Sequence, residues 1–337
     1  MLSVVIPVYN AATSLKKCVE SVLNQGISDL EVVLVDDGSK DNSIEVCREL
    51  SKFDSRVKVF QKENGGAASA RNLGLEKCKG DYVCFLDSDD FFENNYLKVL
   101  LEKIQQADLV ICSMKILRTE GEESKDIRKF GREGIISQKD FYLMYEERDF
   151  EGVFSSCCNK IYKKQLITEK FKNLLIGEDK FFNYDYLKNC ANILVTNEIG
   201  YNYVYYTNPS SVTKLYKDGK FENILEKYNK ELCEANLIFG EDNIVENKKY
   251  LNRILLRDLT SIMVGLLFSA KDKKEIKNII TSWVNNETIK NATKSYAYFG
   301  FEEKIIFKLI KLRFVGLIML LCRMKGEKNE KKVANNS

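Results

Sequence analysis

The 337-residue chain contains no histidine. That absence removes the commonest general base, the Ser-His and Cys-His nucleophile pairs and every histidine-based metal site, so acid-base chemistry falls to carboxylates, Tyr, Lys or Cys. The ten cysteines include no C-x-x-C pair and one vicinal pair, Cys157-Cys158, so neither a zinc site nor a disulfide framework is written here. Cys84 and Cys112 fall in apolar, strand-like runs, as reduced core thiols do in a reducing compartment. A net charge of +3 is too small for general nucleic-acid binding, and no nucleic-acid partner is expected. No apolar run reaches the roughly twenty residues that a membrane-crossing helix takes. The first residues follow a strand pattern and lack the basic, apolar, small-residue order of a signal sequence, so a cytoplasmic location is expected. The G-x-G-x-x-G fingerprint is missing too. Gly65, Gly66 and Gly74 have the wrong spacing and Gly38 stands alone, which disfavours hydride transfer with a nicotinamide cofactor.

What remains has the composition of an ordinary soluble enzyme, 30% charged and 45% hydrophobic. Short apolar runs at Leu2 to Ile6, Glu31 to Val35, Val57 to Phe60 and Tyr82 to Leu86 alternate with helical spacing at 13–24, 42–50 and 67–78. Strand, helix, strand in repetition predicts an α/β fold with a mostly parallel sheet and helices on both faces. A helix at 95–105 and a strand at 109–112 follow, and residues 115–135 read as an irregular loop or hairpin region. Separate strands are expected at 193–195 and 201–206, and from about 221 onward only helical spacing returns.

Two strand ends carry acids: Asp36-Asp37-Gly38, and Asp87-Ser88-Asp89-Asp90. Three acids in four residues repel one another, a cost tolerated where a cation or a cation-bearing ligand sits among them. The bland alternative is that they cap the helix that follows. Between the two lies Gly65-Gly66-Ala67-Ala68-Ser69-Ala70-Arg71-Asn72, where glycines permit close approach, a helix start offers N–H groups to an anion, and Arg71 supplies a charged donor. A divalent cation between a carboxylate pair and a diphosphate would reconcile acids with a phosphate-binding groove.

These four stretches, Val4-Val5-Ile6-Pro7-Val8-Tyr9-Asn10, Val35 to Ser39, Gly66 to Gly74 and Leu86 to Asp90, resemble in order the motifs of the inverting family 2 glycosyltransferases of the GT-A fold. The resemblance is close over 1–115 and looser through Gly177-Glu178-Asp179 and Ser211-Val212-Thr213. It implies a GT-A catalytic domain over 1–218, with a nucleotide-binding half to 115 and an acceptor half beyond it, followed by a helical region over 219–325. By the same resemblance Pro7, Tyr9 and Asp37 border the nucleoside, Asp36 supports that turn, and Arg71 lies near the nucleotide. Asp87 contacts ribose or sugar and is a second candidate for the metal, while Asp89 binds Mn²⁺ or Mg²⁺. Asp90 lies outside the strict D-x-D pattern. The catalytic base matches Asp179, with Glu178 as second choice, and Lys214 would reach the diphosphate. The plain reading of Glu178 and Asp179 is that acids favour a helix start.

The resemblance implies transfer of one sugar from a nucleotide-sugar, a UDP-sugar first, to a glycan or lipid-linked acceptor in surface-polysaccharide synthesis. The alternatives are a catalytically silent nucleotide-sugar-binding subunit that recruits a partner through its helical C-terminus, and a nucleotidyltransferase. Lys304, Lys308 and Lys311 share one helical face opposite Ile305, Ile306, Leu309 and Leu312, so a basic amphipathic helix is expected over about 301–325. It would lie on the inner face of the membrane, or dock on this protein or a partner. Residues 326–337 read as a disordered polar tail.

Overall fold

The computed structural model describes residues 1–118, 126–143, 150–174, 177–205, 216, 218–239, 245–298 and 300–334. They form two compact units, Met1–Tyr205 and Tyr206–Ser337, a division that falls ahead of the expected one at 218 because the last strand of the sheet ends at Tyr205.

The first unit opens with β1 (Leu2–Val8), α1 (Leu15–Leu23), β2 (Leu30–Asp36), α2 (Ser43–Phe53), β3 (Val57–Gln61), α3 (Ala67–Lys77) and β4 (Tyr82–Phe85). Every residue of β1 and β2 is buried, as continuous apolar runs require when both faces of a strand are covered. Then come β5 (Phe91–Phe92), α4 (Tyr96–Lys103), β6 (Leu109–Arg118), β7 (Asp126–Arg128) and β8 (Gly134–Ser137). The unit closes with α5 (Gln138–Leu143), α6 (Phe150–Ser155), β9 (Lys160–Lys163), α7 (Glu178–Leu187) and β10 (Asn192–Tyr205). The sheet order is β3-β2-β1-β4-β9-β6-β10-β5, with β7 on β6 and β8 on β10. β1, β2, β3 and β4 pair in parallel, β9 runs antiparallel between β4 and β6, and β10 returns parallel to β6. One sheet therefore runs through both expected halves.

One expectation changes here and another is resolved. The separate strands at 193–195 and 201–206 are one strand, β10, whose register against β6 shifts between Thr196 and Ile199 and again between Ile199 and Tyr201. The polar Asn197-Glu198 that broke the apolar run sits in that irregularity, where Glu133 accepts bonds from Thr196 Oγ1 (2.8 Å) and the Asn197 N–H (2.9 Å). Gly200 is required by space: a Cβ there would lie 2.0 Å from Tyr96 Cδ2. In the 115–135 stretch the hairpin alternative holds: β6 continues to Arg118 and pairs antiparallel with β7.

α7 is buried from Lys180 through Leu187, and its aromatic residues hold it in place. Phe182 stacks on Phe171 at 4.0 Å and meets Phe85 of β4 and Tyr162 of β9 edge-on at 5.7 and 5.5 Å, while Tyr186 meets Tyr162 at 4.9 Å. Each such pair contributes about 0.5–1.5 kcal/mol beyond its burial. Together they fix the start of α7 relative to the end of β4.

The second unit contains α8 (Lys220–Phe239), α9 (Val245–Leu267), α10 (Lys273–Asn285), α11 (Glu287–Ala292), α12 (Phe301–Leu312) and α13 (Val315–Ala334). Phe221 stacks on Trp283 at 5.1 Å, and α9 carries a continuous buried stripe including Leu251, Leu255, Leu259 and Met263. The single terminal helix expected over 301–325 is two, broken at Arg313, whose φ of 59° turns the chain left-handed. The disordered tail expected from Gly326 is helical to Ala334. Gly326 lies where a Cβ would come within 2.2 Å of Phe268, and Arg323 pairs with Glu327 one turn on.

Candidate active site

β1, β2 and β4 are parallel, so their C-terminal ends open on one edge of the sheet, where ligands of open α/β sheets bind. Pro7 is buried in β1 opposite Val35, and two residues on, the Tyr9 ring is 45% exposed. The turns after β1 and β2 are tied together, the Asn10 N–H donating to Ser39 Oγ at 3.1 Å and the Lys40 N–H to Asn10 Oδ1 at 2.8 Å.

Asp36 and Asp37 are both buried and have different tasks. Asp36 Oδ2 accepts from Gln61 Nε2 (3.3 Å), and its Oδ1 has no hydrogen-bond partner among the described residues. Asp37 is held from below: the Gly65 and Gly66 N–H groups donate to it at 3.0 and 2.7 Å, and Lys62 Nζ at 2.8 Å. Gly66 has φ 85°, a left-handed value that glycine adopts without strain, and this conformation turns the two N–H groups onto the carboxylate and starts α3.

Arg71, on α3, is 3% exposed and reaches across the site. Its Nη2 donates to Asp87 Oδ1 at 2.7 Å and its Nη1 to Asp179 Oδ1 at 2.8 Å, with Glu178 Oε1 at 3.4 Å. Three carboxylates from two distant segments thus converge on one guanidinium. Gly177, at φ 84°, begins α7 and sets Glu178 and Asp179 in its first turn. The Cys157 N–H donates to Asp179 Oδ2 at 3.3 Å. Burial raises the Asp179 pKa; Arg71 opposes this and Asp87 adds to it. Burial also raises Glu178, followed by the charge of Asp179. A carboxylate raised in this way is better matched to taking a proton near neutral pH.

The acids after β4 point in three directions. Asp87 is half-buried on Arg71. Asp89 reaches solvent, and lost hydration, then the neighbouring Asp87, push its pKa up to about 6. Asp90 is buried, accepts from Tyr201 Oη and from the Val204 N–H (2.7 Å), and so fastens this loop to β10. None of them caps the next helix: β5 intervenes, and Asn95 stands at the start of α4. Lys214 lies outside the described residues.

Among the described residues no three acidic or cysteine side chains form a metal cage. A single outward-facing carboxylate such as Asp89 would suit a Mg²⁺-type ion, since such ions use one or two carboxylates plus substrate phosphates.

Sequence reasoning missed four participants. Lys62 precedes the glycines by three residues and was open to notice as a cation near an acidic turn. The Cys157 N–H carries no side-chain signature. Lys160, fully buried, donates to the Val153 carbonyl (3.0 Å), the Ser156 carbonyl and Asn159 Oδ1 (2.9 Å), and Asn183 Nδ2 donates to the Phe154 carbonyl at 2.7 Å. These side chains satisfy the carbonyls at the end of α6 and so place the Cys157 amide.

Comparison with known proteins identifies the family and the fold. The family model described as glycosyl transferase family 2 matches residues 3–171. The uncharacterized glycosyltransferase EpsJ of Bacillus subtilis is 26% identical over 344 residues, spanning 97% of this chain and 96% of the relative. The GalNAc(5)-diNAcBac-PP-undecaprenol beta-1,3-glucosyltransferase of Campylobacter jejuni is 28% identical over 329 residues, spanning 95% and 92%. Among solved structures, S. aureus TarS 1–349 in complex with UDP-GlcNAc has a TM-score of 0.64 at 19% identity, covering 98% of this chain and 92% of that one. The strand-end acids, the glycine turn and the α7 carboxylates stand on a GT-A fold, and the chain belongs to the family 2 glycosyltransferases.

Proposed function

We propose that the protein is an inverting glycosyltransferase that moves one sugar from a UDP-sugar to a hydroxyl of a lipid-linked or surface-polysaccharide glycan. The observation that carries the reading is the Arg71 bridge, which puts the D-x-D carboxylate Asp87 beside the α7 carboxylate Asp179. In this reading Tyr9 and Pro7 border the nucleoside, Asp37 accepts from the base, and Asp36 supports the turn. Asp179 takes the proton of the acceptor hydroxyl as its oxygen attacks the anomeric carbon from the face opposite the diphosphate. The bond to the diphosphate breaks and configuration inverts. Asp89, with Asp87 as a second contact, would hold Mn²⁺ or Mg²⁺, which supplies positive charge for the departing diphosphate. Arg71 and Lys214 would face the same negative charge. The UDP-GlcNAc held by TarS supports the donor class, and the undecaprenol-linked substrate in the name of the Campylobacter relative supports the acceptor class. Work on such an acceptor would put the enzyme at the inner face of the membrane. No described helix is long and apolar enough to cross one.

The test is turnover of UDP-, GDP- and dTDP-sugars with Mn²⁺ or Mg²⁺. A UDP-sugar should be consumed, and Asp179→Asn should lower turnover by about a hundredfold to ten-thousandfold while donor binding persists. Asp89→Ala should weaken donor binding in the presence of metal. Binding without turnover of any donor would return the catalytically silent subunit, which the family match and the acids at 89 and 179 disfavour.

A further inference from the structure

α12 and α13 are each two-faced. α12 buries Ile306, Phe307 and Ile310, and α13 buries Ile318, Cys322 and Gly326, spaced by four as one face of a helix. On α13 the residues opposite that face are Leu317, Leu320 and Met324, 50, 54 and 56% exposed. At the break between the helices Leu312 and Phe314 are 49 and 51% exposed. Five large apolar side chains thus form an uncovered stripe along the outside of the second unit's last helices.

From 304 to 325 the charges have one sign. Lys304, Lys308, Lys311, Arg313, Arg323 and Lys325 are all exposed, and no acid occurs between 304 and 325. The first acid beyond, Glu327, is paired with Arg323. We propose that this face rests on a bilayer surface carrying anionic lipids, with Leu312, Phe314, Leu317, Leu320 and Met324 entering the headgroup boundary and the lysines and arginines meeting phosphate.

Three observations select that occupant. The apolar stripe is too short to cross a bilayer, and the described helices contain no spanning segment. Its exposed side chains project from one side of a helix whose other side is packed, the arrangement of an interfacial helix. A second copy of the same face would set five cations against five even with Arg323 paired to Glu327, a like-charge contact that opposes association, whereas an anionic leaflet complements them. The inference deepens the lipid-linked acceptor proposed above and rests on that reading only for its purpose. Held by this face, the enzyme would search a surface for its acceptor rather than a volume.

The experiment is co-sedimentation of the full chain with vesicles of phosphatidylcholine alone or mixed with phosphatidylglycerol. Binding is expected to the mixed vesicles, to fall with added salt, and to weaken roughly 30-fold in the double variant Lys308→Gln, Lys311→Gln. Leu320→Asp should abolish it; the side chain is exposed, so the thermal unfolding of this variant should match the parent. Equal binding to both vesicle types, no binding to either, or a salt-stable dimer lost in Leu320→Asp would overturn the proposal. UDP-sugar hydrolysis without vesicles is measured on the same samples. Intact hydrolysis with no vesicle binding sinks the lipid face alone, and absent hydrolysis in the parent sinks the enzyme reading.

Discussion

Replacing Arg71 by methionine removes the cation that, among the described residues, Asp87, Glu178 and Asp179 share, while keeping most of the side chain's volume. Deleting one partner of a buried charge network costs about 3–5 kcal/mol, because the groups left behind stay desolvated and unpaired. The three carboxylates keep 20–32% of their side-chain exposure, so solvent screens part of that loss and the lower end, about 3 kcal/mol, applies. For a unit of this size the midpoint of thermal unfolding should drop by roughly 6–12 °C. The sign with pH is fixed by the same groups. Burial already raises Asp179 and Glu178 above their ordinary values, and Arg71 holds both down, so in the variant both rise further. A raised carboxyl contributes stability below its unfolded pKa and loses it as pH rises through the folded one. The deficit of Arg71→Met should therefore shrink in acid and grow toward neutral pH, and the acidic limb of the rate profile should move upward. Urea unfolding from pH 4 to pH 8, with Arg71→Lys as a charge-retaining control, reads both. A deficit under about 1 kcal/mol, or one indifferent to pH, would refute the role given to this guanidinium.

Two further outcomes follow from the site. Asp89 is pushed up to about 6, so a proton competes for the oxygen that a divalent cation would use; Mn²⁺ affinity measured calorimetrically with UDP present should weaken as pH falls below 6, and an affinity flat from pH 5 to 8 would contradict this. Lys160→Met should lower kcat with donor KM unchanged, because the Cys157 amide loosens from Asp179 when the carbonyls before it lose their donor. Burial lowers the Lys160 pKa from 10.5 to about 7, so its unfolded form binds the extra proton in that window, and the parent should gain stability relative to Lys160→Met as pH rises through it.

The parallel part of the fold was legible because β1 and β2 are almost continuously apolar, the mark of strands covered on both faces, and because β2 runs directly into acids. The helical character of the last region was open to reading, since a 3.6-residue period survives without tertiary context, but the left-handed break at Arg313 and the continuation of α13 past Gly326 were not. β10 was not, because Asn197 and Glu198 interrupt its apolar residues at the place where the register shifts. β9 was harder still: its first residue is a lysine, and only the three acceptors around Lys160 explain how a cation stands in a core strand. In the site, the motif residues announced themselves locally, whereas the bond from Arg71 to Asp179 joins positions 108 residues apart and has no local signature. The task of Asp90 depended likewise on Tyr201 and Val204, far along the chain.

The insertion of β9 between β4 and β6 also sets an order of assembly. β4 is made by residue 85, but the strand that pairs with its free edge is complete only at residue 163. At ribosomal speeds of about 5–20 residues per second, that edge waits roughly 4–16 s for its neighbour. During this interval a nascent chain offers the unpaired N–H and C=O groups of an apolar strand to any other extended segment. A fragment ending at 115 would hold this condition permanently. The strand-end acids and the glycine turn, although written in the first 90 residues, belong to a sheet that only the later chain can close.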